Sequence, residues 1–404
     1  MEPSAAATDS GLWDWHQLSA ANLVEVDEFR PHMPLHNFYE GHGASNGGCI
    51  ASATLEAAED RLRATLEACD RLRLVQCLVD MDSSWGGLAH EMLTYVGEEC
   101  PGAVVAVVGN DWSYPLASDD QDAVFRVAAD VRDRSKIEAR KRINVASSIA
   151  LLSEVSSLLV PIAMAPSSLP STRFSKLRFD RSSCADVGAV AATALELALS
   201  THQSRSAYEL LDGLRPSMKV AELSAFFPYT ADPVMLLRSI NDSMTNDIGL
   251  ERPSPTTGGP FQNDSLLPQV DQVSARETQV ERPHKVHYRR LQFRGAFADC
   301  PSLRSLIEST SMSRRDITLQ WSDAAPLTLP ETYRIRVLSG SSMDAISQLA
   351  LTSQTGDYLT ALAQRVAKSN KRTLYEFTRA GMSPDAPEEL EATLAGMGDA
   401  FFPQ

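Results

Sequence analysis

LVQCLVDMDSSWGGLAHEMLTYVGEECPGAVVAVVG, residues 74–109, is the stretch whose reading decides the fold. An apolar run ends in Asp80-Met81-Asp82, and a short Ser- and Gly-containing turn (SSWGG) follows. LAHEMLTYVGEEC then carries apolar residues at helical spacing, and AVVAVVG is a Val-rich strand. Upstream, EDRLRATLEACDRLR (59–73) has the periodicity of an amphipathic helix. A helix that starts directly after a strand-ending glycine turn offers backbone N–H groups and the positive end of its dipole to an anion. This is the skeleton of a nucleotide-binding half of a doubly wound α/β sheet.

Beyond it, an acidic loop near Ser118–Asp122 precedes DAVFRVAADVRDRSKIEARKRINVASSIALLSEVS, which reads mostly as helix. SSLLVPIAM is an apolar strand. CADVGAVAATALELALSTH, rich in Ala and nearly free of charge, reads as a helix buried almost all round, as a central bridging helix would be. GLRPS turns the chain into MKVAELSAFF, a short helix ended by Pro228. From 241 to 283 the composition shifts to Ser, Pro, Thr, Gly, Asn and Gln, which predicts a disordered insertion. HKVHYRRLQFRGAF and TYRIRVLSG read as strands, and helical periodicity closes the chain in YLTALAQRVAKSNKRTLYEFTRAG and PEELEATLAGMGDAF.

The expected organisation is therefore a partial nucleotide-binding-like α/β domain over 1–180 and a central helix over 181–212. A second, α+β domain follows over 213–343 with the disordered insertion at 241–283, and C-terminal helices occupy 344–404. The 404 residues suffice for a large core and two domains. The net charge of −15 argues against nucleic acid as a main partner and against docking on anionic lipid. No run is long and apolar enough to span a bilayer, and MEPSAAATDSGLWDW has the pattern of neither a signal nor a transit peptide. The six cysteines include no CxxC pair, and buried reduced thiols are expected.

This order of elements resembles the tubulin and FtsZ superfamily, in which a strand, a phosphate-gripping loop and a helix precede a long central helix. Residues 67–108 are similar in character to the tubulin segment that holds the loop GGGTGSG, RINVASSIALLSE to a later tubulin helix that opens with an Asn-Ala pattern, and MKVAELSAFFP to the short helix after the central one. Within that superfamily the chain resembles the Misato family. The resemblance rests on WDWHQLSAANLVEVDEF (13–29), on the Glu-x-Cys-Asp, Gln-x-Leu and glycine-turn pattern of LEACDRLRLVQCLVDMDSSWGG (66–87), and on LAQRVAKSNKRTLYEFTRAGMSPDAPEELEATL (362–394). It covers most of Trp13 to Phe401 outside the insertion. The family's further N-terminal segment, with the first strand and first phosphate loop, is expected to be missing here. The resemblance implies a tubulin-like fold and a role in mitochondrial distribution, morphology and inheritance.

A phosphate loop needs glycines where backbone approaches an oxyanion. Ser83, Ser84, Gly86 and Gly87 are the residues that could supply part of one. Trp85 is bulky, and Leu88 and Ala89 stand where tubulins carry Gly and Ser, so the loop reads as degenerate; the plain alternative is a capped strand-to-helix turn with an aromatic plug. No cofactor is expected, with GTP as the ligand an intact loop of this type would take.

Glu222 is the acid nearest the position where tubulins carry their hydrolytic carboxylate, and reads equally as a solvated surface group. Asp80 and Asp82 share a face at the strand end and could hold Mg²⁺ through water, or simply form the turn. His284, Lys285, His287, Arg289 and Arg290 could form a phosphate patch, and read more plainly as a charged edge strand in a chain this acidic. His32, His36 and His42 lack a second ligand set for a metal. GxSxG, HExxH and Walker A patterns are absent.

Three functions are weighed. The favoured one is a non-enzymatic tubulin-like protein at the mitochondrial outer surface and in the cytoplasm, working through protein or cytoskeletal partners. The others are an active tubulin-type GTPase or microtubule-related protein, and an unrelated α/β enzyme for a phosphorylated ligand. The closing helices, Ala345–Ala367 and Pro387–Phe401, are the expected partner surface.

Overall fold

The computed structural model of the chain describes residues 23–29, 35–112, 131–165, 177–199, 217–226, 265–268, 285–294, 316–321 and 345–402. Short pieces at 174, 211–214, 301–309, 327–328, 336–337 and 342–343 are also described, in part. The first unit follows the sequence pattern. Helix α1 (Ser52–Glu67) leads to strand β1 (Leu74–Asp80), helix α2 (Trp85–Glu99) and strand β2 (Val104–Asp111). Helix α3 (Val131–Val155) then delivers the chain to strand β3 (Leu158–Ala163). The three strands form a parallel sheet in the order β1-β2-β3, with Leu74 opposite Val104 and Ala106 opposite Leu158. Buried on both faces, β2 and β3 are near-continuous apolar runs, as parallel strands must be. β1 forms the rim: Leu78 is 64% exposed while Val108 beside it is fully buried.

Helix α4 (Cys184–Leu199) is the Ala-rich central helix, with ten of its residues buried. The second half of the fold is built on a mixed sheet of β5 (Glu222–Phe226), β6 (Val286–Arg294), β7 (Ile317–Trp321) and β11 (Ala345–Thr352), ordered β5-β11-β6-β7. Short pairings join β4 (Leu177–Arg178) to β9 (Arg336–Val337), and β8 (Leu327–Thr328) to β10 (Ser342–Met343). Helices α5 (Ser353–Ala367), α6 (Lys371–Arg379) and α7 (Ala386–Asp399) close the described chain. α5 and α7 cross closely because Gly356 and Gly398 meet there; a Cβ on Gly398 would come within 2.6 Å of Thr360 Oγ1.

The sheets are stitched together along one chain segment. Lys219–Ala221 bonds to the free edge of β3, through Leu159 N–H to Lys219 O and Ala221 N–H to Leu159 O, both 2.9 Å. The chain then peels away as β5 to pair with β11. Ser265–Leu266 fills the gap that opens: Ala163 N–H donates to Leu266 O and Leu266 N–H to Leu223 O, both at 2.8 Å, and Ser265 bridges Ser224.

Five expectations are thereby corrected. Met218–Phe226 is extended rather than helical, because its backbone bonds β3 and then β11 and every position from Val220 to Ala225 is buried. The closing helical region begins at Ser353, not near Asp344, since Ala345–Thr352 is the strand between β5 and β6. Within 241–283, Ser265–Pro268 is buried rather than disordered, its apolar Leu266 and Leu267 supplying core contacts; the rest of that range lies outside the described residues. β6 is not an edge strand: it sits between β11 and β7, and Arg289 and Arg290 are buried, with Arg290 donating to Gln320 at 2.5 Å. Among the cysteines, Cys49, Cys69 and Cys184 are exposed, contrary to the expected burial, and Cys77 and Cys100 are half-buried. Cys49, Cys69, Cys100 and Cys184 occupy helix ends and connections, while Cys77 lies within the rim strand β1.

Candidate functional site

The turn between β1 and α2 is where a phosphate would be sought. Helix α2 begins at Trp85, so Gly86 and Gly87 lie in its first turn rather than in a loop. The N–H groups there bond at home. Trp85 N–H donates to Ser83 Oγ (3.3 Å), Gly86 N–H to Ser83 O (3.4 Å), and Gly87 and Leu88 N–H to Ser84 O (3.0 and 3.2 Å). The Ser84 hydroxyl is buried and donates to Leu35 O at 2.9 Å. The Leu88 bond is the first regular one of the helix, and the three donors that a helix start usually leaves free, at Trp85, Gly86 and Gly87, are directed into the turn itself.

What covers the turn is a short 3-10 helix, Phe38–Gly41, held by a capping box. Asn37 accepts from Tyr39 N–H (2.9 Å), and Glu40 accepts from Asn37 N–H (3.0 Å). A Cβ on Gly86 would strike Ser148 Oγ and lie 3.1 Å from the Phe38 ring. One on Gly87 would strike Phe38 O. One on Gly41 would strike Ser84 O and lie 2.9 Å from Leu88 N. The glycines of this turn admit the protein's own backbone and side chains.

Helix α3 supplies the fasteners. Asn144, fully buried, accepts from Phe38 N–H (2.8 Å) and donates to His36 O (2.7 Å) and Asp82 O (2.8 Å). Ser148 donates to Met81 O at 2.9 Å. One turn earlier, Lys141 forms a 2.8 Å ion pair with Asp82 and donates to Trp112 O at 3.3 Å. Burial pushes the Asp82 carboxyl above its ordinary range, and the Lys141 ammonium only partly opposes it. Burial raises Glu138 likewise, against Lys141 and Arg142.

The other sequence candidates are placed as follows. Asp80 accepts from Trp112 Nε1 (2.9 Å) and Asn110 Nδ2 (3.4 Å), while Asp82 is engaged by Lys141; each carboxylate of the pair has its own protein partner. Among the described residues no group of three or more His, Cys, Asp or Glu side chains is arranged to hold a metal. Trp85 is 40% exposed and stacks on Phe29 at 3.9 Å, so it lids the turn from outside rather than filling it. Glu222 is a buried strand residue, not a surface helix one, and accepts from Thr352 Oγ1 at 2.6 Å at the start of α5.

His42 stacks on His90 with ring centroids 5.4 Å apart, and its Nδ1 lies 3.5 Å from Glu91. Burial lowers the His42 pKa to about 4, with Glu91 opposing and His90 reinforcing the shift. His36 meets Glu40 through its backbone, and His32 and His284 lie outside the described residues. The sequence reading missed Phe38–Gly41, Asn144 and Lys141. The Asn37-x-x-Glu40 spacing was the available signal for the first and the Asn-Ala pattern of RINVASSIALLSE for Asn144; Lys141 carries none short of a packed structure.

Against this geometry, residues 55–202 match a family model described as a tubulin domain. The chain is also similar to Protein DML1 of Phaeosphaeria nodorum, 27% identical over 182 residues, 45% of this chain and 31% of that protein. It is similar to Protein DML1 of Coccidioides immitis, 27% identical over 160 residues, 39% of this chain and 26% of that protein. The matched part thus spans about a third or less of the length of these relatives.

Proposed function

We propose, from the premise that this is a tubulin-like chain of the Misato type related to the DML1 proteins, that it is a non-enzymatic protein of mitochondrial distribution, morphology and inheritance. In this reading it works at the outer mitochondrial surface and in the cytoplasm through protein partners. The observation that carries the non-enzymatic part is the packing of Phe38–Gly41 on Gly86 and Gly87. The turn that would cradle a phosphate has its Trp85, Gly86 and Gly87 N–H groups bonded and its glycine space taken by the protein's own backbone and side chains. Phosphoryl transfer rests on positioning and charge stabilisation from several phosphate contacts, and a turn so engaged offers few. No helix among the described residues is long and apolar enough to cross a membrane, so organelle contact in this reading goes through a partner.

Two measurements test the proposal. Purified protein should neither quench Trp85 fluorescence on GTP addition nor release phosphate from GTP; turnover abolished by Gly86→Val would restore the GTPase reading. Cells depleted of the protein should show altered mitochondrial networks or organelle inheritance before metabolic change. Normal networks would remove the cellular part while leaving the fold intact.

A further inference from the structure

In a chain of net charge −15, residues 365–379 hold five of the 37 Lys and Arg residues and a single acid, Glu376. That acid is already engaged, paired to Lys136 at 2.7 Å. Helix α6 starts at an Asn370 cap, whose side chain accepts from Arg372 N–H at 2.9 Å, and buries Thr373 and Phe377. At 100° per residue, Lys371, Arg372, Tyr375 and Arg379 then fall within an arc of about 100° on the opposite side. All four are exposed, and Lys368, just before the helix, is exposed as well. Tyr375 is 68% exposed, the most exposed of the large hydrophobic side chains described. None of Lys368, Lys371, Arg372 and Arg379 has an ion-pair partner among the described residues, although acids outnumber bases by 52 to 37 in the chain.

We infer that this face of α6 is a docking surface for an acidic polypeptide segment carrying an aromatic or large apolar residue. A cluster of cations without ion-pair partners, in a chain of net charge −15, steers a negative partner to this face. A ring left 68% exposed between cations is a hot-spot anchor in waiting, because Tyr contributes large contact area at low conformational cost. Arg372 and Arg379 can each grip a carboxylate with two parallel N–H bonds. Nucleic acid and anionic membrane share the charge sign; the peptide is favoured because the patch is one short helix face and the chain's net charge of −15 opposes an extended polyanion. This surface stands independently of the nucleotide turn and of the cellular role.

The experiment titrates the full chain into a fluorescein-labelled twelve-residue Glu-rich peptide with one central Phe and follows anisotropy. Saturable binding is expected, weakening at least tenfold from about 50 to 300 mM salt as screening shortens the field's reach. Lys371→Glu/Arg372→Glu should lose at least tenfold, and Tyr375→Ala several-fold, with unchanged melting temperatures because the side chains are exposed. Lys368→Ala/Arg379→Ala provides a milder second variant should charge reversal perturb folding. Absence of saturable binding, or binding indifferent to both variants, overturns the proposal. Tighter, equally variant-sensitive binding to phosphatidylserine vesicles or to a twenty-nucleotide single-stranded RNA would assign the face to a membrane or to nucleic acid instead, and overturns it too.

Discussion

Gly41 and Ser84 meet backbone to backbone: any Cβ on Gly41 would overlap the Ser84 carbonyl oxygen that opens helix α2. That oxygen is the acceptor for Gly87 and Leu88 N–H, so the 3-10 helix presses on the group that closes the first helical turn. The absence of one side chain lets Phe38–Gly41 sit where a ligand's anion would otherwise approach.

Gly86→Val and Gly41→Val should each destabilise the protein by about 1–3 kcal/mol or more, the cost of overpacking a filled site. Gly97→Ala is the matched control. A Cβ there meets nothing within 4 Å, so replacing a helical glycine should stabilise by roughly 0.5–1 kcal/mol. Urea denaturation of the three variants provides the comparison. Equal behaviour at positions 86 and 97 would show that the turn is not packed as described.

Asn144→Ala removes three hydrogen bonds and leaves the Phe38 N–H buried without an acceptor. An unsatisfied buried group costs about 1–3 kcal/mol. The specific signature is spatial: hydrogen exchange should rise together in 36–41 and 81–84, which are distant in sequence but share this side chain. Exchange rising only within α3 would contradict the tie.

Lys141→Met strips the partner from a buried carboxylate, an event worth about 3–5 kcal/mol. The pH dependence identifies the cause. Asp82 has a folded pKa raised above its ordinary value, and loss of Lys141 raises it further. The folded state then takes up a proton more readily than the unfolded chain, so the variant's deficit should be largest near pH 7 and shrink as pH falls. A pH-independent deficit would point to lost packing instead.

His42 titrates in the opposite sense. Its folded pKa, about 4, lies below the unfolded value near 6.5, so between these pH values the unfolded state binds more protons. Stability from this site is therefore present above about pH 6.5 and falls as pH drops toward 4. His36 and His90 are lowered too and add in the same direction. The melting-temperature drop from pH 7 to pH 5 should be smaller in His42→Phe than in the parent chain, and an equal drop would exclude the His42–His90 stack as its source.

Leu266→Ala should cost about 2–5 kcal/mol, as expected for a fully buried leucine. Its neighbourhood is polar and turn-rich in sequence, yet Leu266 links Ala163 at the end of β3 to Leu223 in β5. Thermal unfolding indistinguishable from the parent would show that this stitch carries no load.

The sequence by itself determined the strand–turn–helix–strand unit from Leu74 to Asp111, the central helix and the terminal helices α5 and α7, because each carries a local periodicity strong enough to name its own structure. Resemblance along the chain likewise pointed to a tubulin-like fold, and the family match over 55–202 bears this out. What Met218–Phe226 and Ala345–Thr352 became was decided only in three dimensions. Their apolar residues suit either period, and it was the open edges of β3 and of the second sheet that drew them into strands. The same holds for the turn. Ser83–Gly87 reads locally as a damaged anion cradle, but whether its glycines face a ligand or the protein depends on Phe38–Gly41 and Asn144, which lie some 45 and 60 residues away in sequence. Hydrogen-bond satisfaction and close packing act between such distant segments, and a single sequence without a packed structure records neither.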